Sequence, residues 1–455
     1  MTLLEKAVRI EKMKGVNRAM GTIIVIVGRP NVGKSTLFNR LTRSRNALVD
    51  DRPGITRDRI HAFINYDGVP FTLVDTGGFE DIGQDPLLGE VRKQVEKAIE
   101  EADVVIFMVD GREALMPGDQ EMADKLRRGQ KKIFMAVNKV DGPEHDHLIA
   151  DFYGLGIEPV YPISAAHGYG VRTLMQDMAK DIIPQSETEK DDSGQIRVAI
   201  LGKPNVGKSS LINCILGSNR LLVSDVPGTT RDAVDTPFHY RGRSYLLIDT
   251  AGLRRKARVK ERIDSFSMIK ALKSLDRCHV ATILINGAEG VSEQDARIFG
   301  YAFEKGKGLV LAVNKWDLIK GKHRKKTYLA NEIDRQLKFI SFAPRVNLSA
   351  LTGERVMNLF DKIDMVFDQF SRKFSTSSVN RAVQKTIEKH PPPRMGKGRL
   401  KFLYATQTRT RPPTFVIFVN RPDMVHFSYE RFLANQLRER LRLEHSPIKI
   451  VFRKK

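Results

Sequence analysis

The sequence predicts an α/β protein: two copies of one domain, each a mainly parallel sheet flanked by helices, with a small α/β domain behind them. Three observations predict it. Gly28–Asp58 and Gly202–Asp232 are 31-residue segments that match at 18 positions with a constant offset of 174. Self-similarity of this kind marks a duplicated structural unit. Short apolar runs alternate with longer amphipathic stretches, the pattern of buried parallel strands joined by helices. The last 86 residues leave this pattern and carry far more than their share of positive charge.

In the first copy Thr22–Val27, Phe71–Val74, Val104–Val109, Lys132–Val137 and Val160–Ile163 read as strands, and Leu87–Glu100 and Gly118–Arg128 as helices. The second copy repeats the strands at Arg197–Leu201, Tyr245–Ile248, His279–Ile285 and Leu309–Val313. Between the copies, Pro184–Gly194 (PQSETEKDDSG) has many charges and no apolar periodicity, which reads as a flexible linker. Past the second copy, Phe374–Lys389 and Tyr429–Leu441 read as helices and Lys401–Thr406, Thr414–Asn420 and Ile448–Phe452 as strands. The resulting division is an extension at 1–20, domains at 21–184 and 196–370, an acidic linker at 185–195, and a basic domain at 371–455.

Composition narrows the function. The 455 residues carry 76 Lys+Arg against 54 Asp+Glu, a formal net charge of +22, and 41% are hydrophobic. That composition supports folded cores. The longest apolar runs span about six residues, whereas a spanning helix needs about 20, so no membrane partner or span is expected. Cys214 and Cys278 cannot make a disulfide framework and match no zinc spacing; they read as buried thiols in a reducing compartment. Residues 1–19 contain Glu5 and Glu11 and lack an apolar core, so they do not read as a secretory signal, and the expected location is the cytoplasm. Residues 370–455 hold 20 Lys+Arg and 5 Asp+Glu, a net +15, leaving only +7 for the rest of the chain. An excess of that size points to a polyanionic partner.

The chemistry sits in motifs that occur twice in the same order. Gly28-Arg29-Pro30-Asn31-Val32-Gly33-Lys34-Ser35 and Gly202-Lys203-Pro204-Asn205-Val206-Gly207-Lys208-Ser209 each follow a strand and open a helix, the context of a phosphate-binding loop. Their backbone N–H groups and the helix N-terminus suit phosphates. Lys34 and Lys208 would reach the β- and γ-phosphates, and the Ser35 and Ser209 hydroxyls would ligate Mg²⁺. Asp75-Thr76-Gly77-Gly78-Phe79 and Asp249-Thr250-Ala251-Gly252-Leu253 close the next strand. Asp75 and Asp249 can hold Mg²⁺ through water, and the Gly78 and Gly252 N–H groups can meet the γ-phosphate. Thr56 and Thr230 lie on the loop between, where a threonine can ligate Mg²⁺ only while the γ-phosphate is present. That dependence makes a switch. Asn138-Lys139-Val140-Asp141 and Asn314-Lys315-Trp316-Asp317 select the base. Each aspartate can accept from both guanine N1–H and the exocyclic amine, a donor pair adenine lacks. Each asparagine would brace the loop and meet the base from the other side. Ser164-Ala165 and Ser349-Ala350 complete the nucleotide-contacting set. The reading is two GTP/GDP sites.

These motifs resemble the tandem-GTPase family known as Der or EngA, within the TRAFAC class of P-loop GTPases, over about residues 20–455. The C-terminal NRAVQKTIEKHPPP and YATQTRTRPPTFVIFVNRP resemble that family's KH-like domain. The resemblance implies two P-loop GTPase domains and a KH-like domain packed between them. It also implies a GTP-hydrolysing switch that binds the large ribosomal subunit and its rRNA and is needed for assembly of that subunit. Phe79 and Leu253 stand where other GTPases use a water-orienting glutamine, which implies slow intrinsic turnover raised by something supplied from elsewhere. Asn31 and Asn205 occupy the position that helps hold K⁺ in related enzymes; the other reading is that they stabilise the turn.

Two further regions leave alternatives open. Leu253–Lys260 is strongly basic where Phe79–Asp85 is acidic, either a solvated charge run or a nucleotide-controlled RNA or domain contact. No GxxG clamp follows Gly353, so phosphate and shape recognition by Arg394, Lys397, Arg399, Lys401, Arg409, Arg411 and Lys454 is expected rather than base readout. The other reading of that basic surface is packing against the GTPase domains. Asp110-Gly111 against Asn286-Gly287 reads as a local turn difference. A monomeric, GTP-driven assembly factor is the leading function. An RNA-modification GTPase has no visible cofactor site, and a membrane-coupled GTPase has no span.

Overall fold

The computed structural model describes residues 22–43, 61–66, 69–77, 88–129, 131–182, 194–218, 222–223, 235–250, 268–392 and 400–454. Two compact units divide the chain, one made chiefly of residues up to 190 and the other of 191–266 and 274–455.

The first unit contains β1 (Ile23–Val27), α1 (Lys34–Arg43), β2 (His61–Tyr66), β3 (Val69–Asp75), α2 (Leu88–Glu101), β4 (Val104–Asp110), α3 (Pro117–Arg128), β5 (Lys132–Asn138), β6 (Val160–Pro162) and α4 (Val171–Ile182). Its sheet runs β2-β3-β1-β4-β5-β6, parallel except for the antiparallel pair β2–β3. All residues of β1 and β4 are buried, as central parallel strands covered on both faces require. Ile26 pairs with Asp75 and Asp110 with Asn138, so the carboxyl ends of the strands gather these side chains at one edge. Ligands of open α/β sheets bind at that edge.

The second unit repeats the plan with β7 (Ile196–Leu201), α5 (Lys208–Leu216), β8 (Leu222–Val223), β9 (Thr236–Tyr240), β10 (Arg243–Ile248), β11 (Val280–Asn286), α6 (Glu293–Glu304), β12 (Gly308–Asn314), α7 (His323–Gln336), β13 (Arg345–Asn347) and α8 (Asn358–Phe370). The order is β13-β12-β11-β7-β10-β9-β8, with β8 and β9 adding an antiparallel edge. Phe238 and Tyr245 stack at 5.0 Å, and Phe360 of α8 meets both rings edge-on, closing one face of the core.

The basic domain belongs to this second unit. It comprises α9 (Thr376–Lys389), β14 (Phe402–Arg409), β15 (Thr414–Val419), α10 (Phe427–Arg440) and β16 (Lys449–Lys454), with the sheet ordered β14-β15-β16. Ser375 caps α9 by accepting from the Ser378 N–H. Phe415, Ile417 and Val419 pack under Val379, Leu433 and Leu437. The domain is joined to the end of α8 by backbone and side-chain contacts. The Arg411 N–H donates to the Phe370 carbonyl at 3.1 Å, and the His445 N–H to Gln369 Oε1 at 2.7 Å. The Arg438 guanidinium sits 4.9 Å from the Phe342 ring centroid.

Candidate guanine-nucleotide sites

Each phosphate-binding loop is shaped by residues in the left-handed region. Gly28, Asn31 and Gly33 have φ of 152°, 64° and 101°, and Gly202, Asn205 and Gly207 have 149°, 59° and 100°. A side chain at Gly33 would also collide with Asn138, whose Nδ2 lies 2.2 Å from where the Cβ would stand. That glycine is therefore required twice, by its torsion and by its neighbour. Lys34 Nζ donates to the Gly28 and Arg29 carbonyls at 3.0 and 2.8 Å, and Lys208 Nζ to those of Gly202 and Lys203 at 2.9 and 2.7 Å. Both ammonium groups thus lie over the loop that would receive phosphates. Side chains behind the loop hold it in place: Arg29 pairs with the buried Asp119 at 2.9 Å and with Glu113 at 2.8 Å. Lys203 takes the same role with Glu289 at 2.8 Å and Asp295 at 3.8 Å, and it holds the Glu289 carboxyl below its usual range.

The base loop is locked to the phosphate loop by one side chain. Asn138 Nδ2 donates to the Val32 carbonyl at 2.7 Å, while Asn138 Oδ1 accepts from the Ala165 N–H at 2.8 Å. Asn314 repeats this with Val206 at 2.8 Å and Ala350 at 2.9 Å. Both polar ends of each asparagine therefore meet protein. The brace joins three motifs that lie far apart in sequence.

The two selecting carboxylates differ. Asp141 Oδ1 accepts from Ser164 Oγ at 2.7 Å, its Oδ2 accepts from Arg112 Nη2, and His167 Nε2 stands 3.9 Å from Oδ1. The Ser164 hydrogen bond, then the Arg112 and His167 charges, hold the carboxyl below the usual carboxylate range. In the second copy Asp317 Oδ1 is buried and has no hydrogen-bond partner among the described residues. The turns after Asp110 and Asn286 share one feature, each side chain accepting the backbone N–H two residues on at 3.0 Å. They differ in that the Gly290 N–H donates to the Asn286 carbonyl at 3.0 Å, a bond without a counterpart among the described residues of the first copy. Charge differs too, because Asp110 also pairs with Lys139, whereas Asn286 donates to Glu289.

At the strand end after the phosphate loop, Asp75 is buried and accepts from the Gly77 N–H at 2.9 Å. A Cβ built on Gly77 would lie 3.1 Å from both Asp75 Oδ1 and Ser35 Oγ and 3.3 Å from Lys34 Cε. Two hard oxygen donors and the lysine thus converge on one small space, which fits Mg²⁺. Thr76 turns away, donating to the Ile26 carbonyl. In the second copy Asp249 has φ 60° and Thr250 shares a hydrogen bond with Thr236. Thr56, Gly78, Phe79, Thr230, Ala251, Gly252 and Leu253, with the basic stretch 253–260, lie outside the described residues.

Of the expected RNA contacts, Lys401, Arg409 and Lys454 are exposed, and Arg394, Lys397 and Arg399 lie outside the described residues. Arg411 is half-buried, with its Nη1 3.3 Å from His279 Nε2 and its guanidinium 5.9 Å from the Phe367 centroid. It is a packing residue between the second GTPase fold and the basic domain. Sequence reasoning placed Arg29 and Lys203 in the phosphate loops without their carboxylate partners, and it missed Arg112 as a partner of the site. The signal for Arg112 was its place directly after Asp110-Gly111.

Comparison with known proteins agrees with this geometry. The family described as "50S ribosome-binding GTPase" matches residues 23–139 and 197–315, and "KH-domain-like of EngA bacterial GTPase enzymes, C-terminal" matches 373–453. GTPase Der of Syntrophobacter fumaroxidans is 47% identical over 438 residues, 95% of this chain and 98% of that protein. GTPase Der of Geobacter metallireducens is 48% identical over 434 residues, 95% of this chain and 99% of that protein. With two P-loop GTPase domains and a KH-like domain matched along nearly its whole length, the chain belongs to the GTPase Der family.

Proposed function

We propose that this GTPase is a monomeric, cytoplasmic assembly factor whose nucleotide state controls its hold on the large ribosomal subunit and its rRNA. The observation that carries the reading is the joint presence of two GTPase domains and a +15 domain attached to the second by Arg411, His445 and Arg438. The attachments sit at the end of α8 and beside His279 before β11, so a change at the second nucleotide site would reach the basic domain through the body of the second GTPase fold. The family description "50S ribosome-binding GTPase" supports the choice of subunit. Among the described residues no helix is long and apolar enough to cross a membrane.

In this reading Asp141 and Asp317 select guanine, Asn138 and Asn314 hold the base and phosphate loops in register, and Lys34 and Lys208 take the β- and γ-phosphates. Mg²⁺ would be held by Ser35, Thr56 and Asp75 at one site and Ser209, Thr230 and Asp249 at the other. When bound, it offsets charge on the transferring phosphoryl group. Gly78 and Gly252 would offer N–H groups to the γ-phosphate, and Thr56 and Thr230 would report its loss. Asn31 and Asn205 are exposed, and neither side chain hydrogen-bonds another described residue, so their carboxamide oxygens remain available for K⁺. Turnover that is faster in KCl than in NaCl supports that role, and equal rates remove it. Exposed Lys401, Arg409 and Lys454, together with Arg394, Lys397 and Arg399, would contact RNA phosphates.

The test of the function is co-sedimentation of the full chain with large subunits at two salt concentrations, in GDP or a non-hydrolysable GTP analogue. Binding that depends on the nucleotide and survives the higher salt is expected. Binding that is indifferent to nucleotide and lost with salt would reduce the chain to a generic polyanion binder.

A further inference from the structure

We propose that Arg112 competes with guanine for the base-reading carboxylate of the first site: its guanidinium pairs with Asp141 and must leave before guanine pairs there. The proposal rests on the reading of Asp141 as the guanine-selecting group. Its chemistry is a match of donors. Guanine offers a carboxylate two N–H groups, from N1 and from the exocyclic amine, and Arg112 offers a charged N–H to one of the same two oxygens, Oδ2.

Three observations place Arg112 in that role. Its Nη2 donates to Asp141 Oδ2, the oxygen that Ser164 leaves open by taking Oδ1. Its backbone is fixed by the Asp110 turn, and Asp110 also grips Lys139 of the base loop, so the base of the arm is anchored. The side chain is 64% exposed, so it can swing into solvent without breaking a core.

The second copy provides a built-in contrast. The residue equivalent to Arg112 in Asn286-Gly287-Ala288 is alanine, which has no donor. There Asp317 Oδ1 is buried without a hydrogen-bond partner among the described residues. A desolvated, unpaired carboxylate oxygen is costly, and an arriving N–H relieves that cost. Guanine therefore displaces a competitor at the first site and fills a waiting acceptor at the second. The two sites differ in guanine affinity for this reason, with the first weaker.

The experiment uses the full chain, reading the first site in a Lys208→Ala background and the second in a Lys34→Ala background. GDP and inosine diphosphate, which lacks the exocyclic amine, are the probes. Arg112→Ala is expected to raise first-site GDP affinity about threefold, mostly through faster association, the scale of a half-exposed ion pair. Arg112→Lys, which keeps the charge on a stem with a different reach, should fall between. Ala288→Arg, at an exposed turn, should lower second-site affinity by a similar factor. Asp141→Asn separates the two levels. If it leaves the first-site preference for GDP over inosine diphosphate unchanged, the reading of Asp141 fails and the proposal with it. If it erases that preference while Arg112→Ala leaves GDP affinity equal or lower, Asp141 reads guanine and the role given to Arg112 is wrong.

Discussion

Replacing Asn138 by alanine should uncouple the base loop from the phosphate loop, and the structure sets the size of the effect. Asn138 is 4% exposed, and its side chain makes the 2.7 Å bond to the Val32 carbonyl and the 2.8 Å bond from the Ala165 N–H. Truncation removes both and strands a carbonyl and an N–H in a buried setting. At about 1–2 kcal/mol for each group left without its partner, the cost is about 2–4 kcal/mol. Expressed as loss of the binding-competent loop, the lower figure is about a 30-fold fall in GDP affinity. Titration of GDP into the Lys208→Ala chain, with and without Asn138→Ala, reads the first site alone. Thermal unfolding of the same proteins shows how much of the cost appears as stability instead. Asn314→Ala is the matched experiment at the second site, because its bonds to Val206 and Ala350 have the same lengths within 0.1 Å. A first-site affinity within threefold of the parent, together with an unchanged melting temperature, would refute the claim that this side chain holds the two loops together.

Two other perturbations follow from the same contacts. Arg29→Ala leaves the 1%-exposed Asp119 without its guanidinium and should destabilise the first unit by about 1–3 kcal/mol, read by calorimetry. Arg29→Lys, which copies the second site's Lys203, should recover part of that loss. The thiols should separate in reactivity. Burial pushes Cys278 up to about 11, so at pH 8 it stays protonated and inert to an alkylating reagent until the chain unfolds. Cys214, half-buried beside a cavity of about 500 Å³ lined by Asn213, Gly353 and Met357, should react slowly in the native protein. Equal reactivity of the two would contradict the burial.

The parts legible in the sequence are those whose cause is local. Gly33 and Gly207 are required by a torsion near 100°, and continuous runs such as Val104–Val109 are required by burial on both faces of a sheet. Edge strands escape because their pattern mixes polar and apolar residues: Thr236–Tyr240 buries Thr236, Phe238 and Tyr240 and turns His239 to solvent. Helix α8 carries a helical signal of its own, with Leu359, Phe360, Ile363, Val366 and Phe370 buried along one stripe. Charge alone marks Arg411 as an RNA contact, and only the fold reveals His279 and Phe367 beside it. Likewise, no local pattern joins Arg112 to Asp141 or Asn138 to Val32. Those pairings follow from the order of the sheet, in which β4 and β5 are neighbours and β1 lies on the far side of β4.

The central claim is that the chain carries two guanine sites, each read by its own aspartate. Counting bound GDP per chain by calorimetric titration, for the parent protein and for Asp141→Asn, Asp317→Asn and the double variant, tests it most directly. Two bound nucleotides in the parent, one in each single variant and none in the double are predicted. A parent that binds one, or a double variant that still binds two with undiminished affinity, would contradict the account.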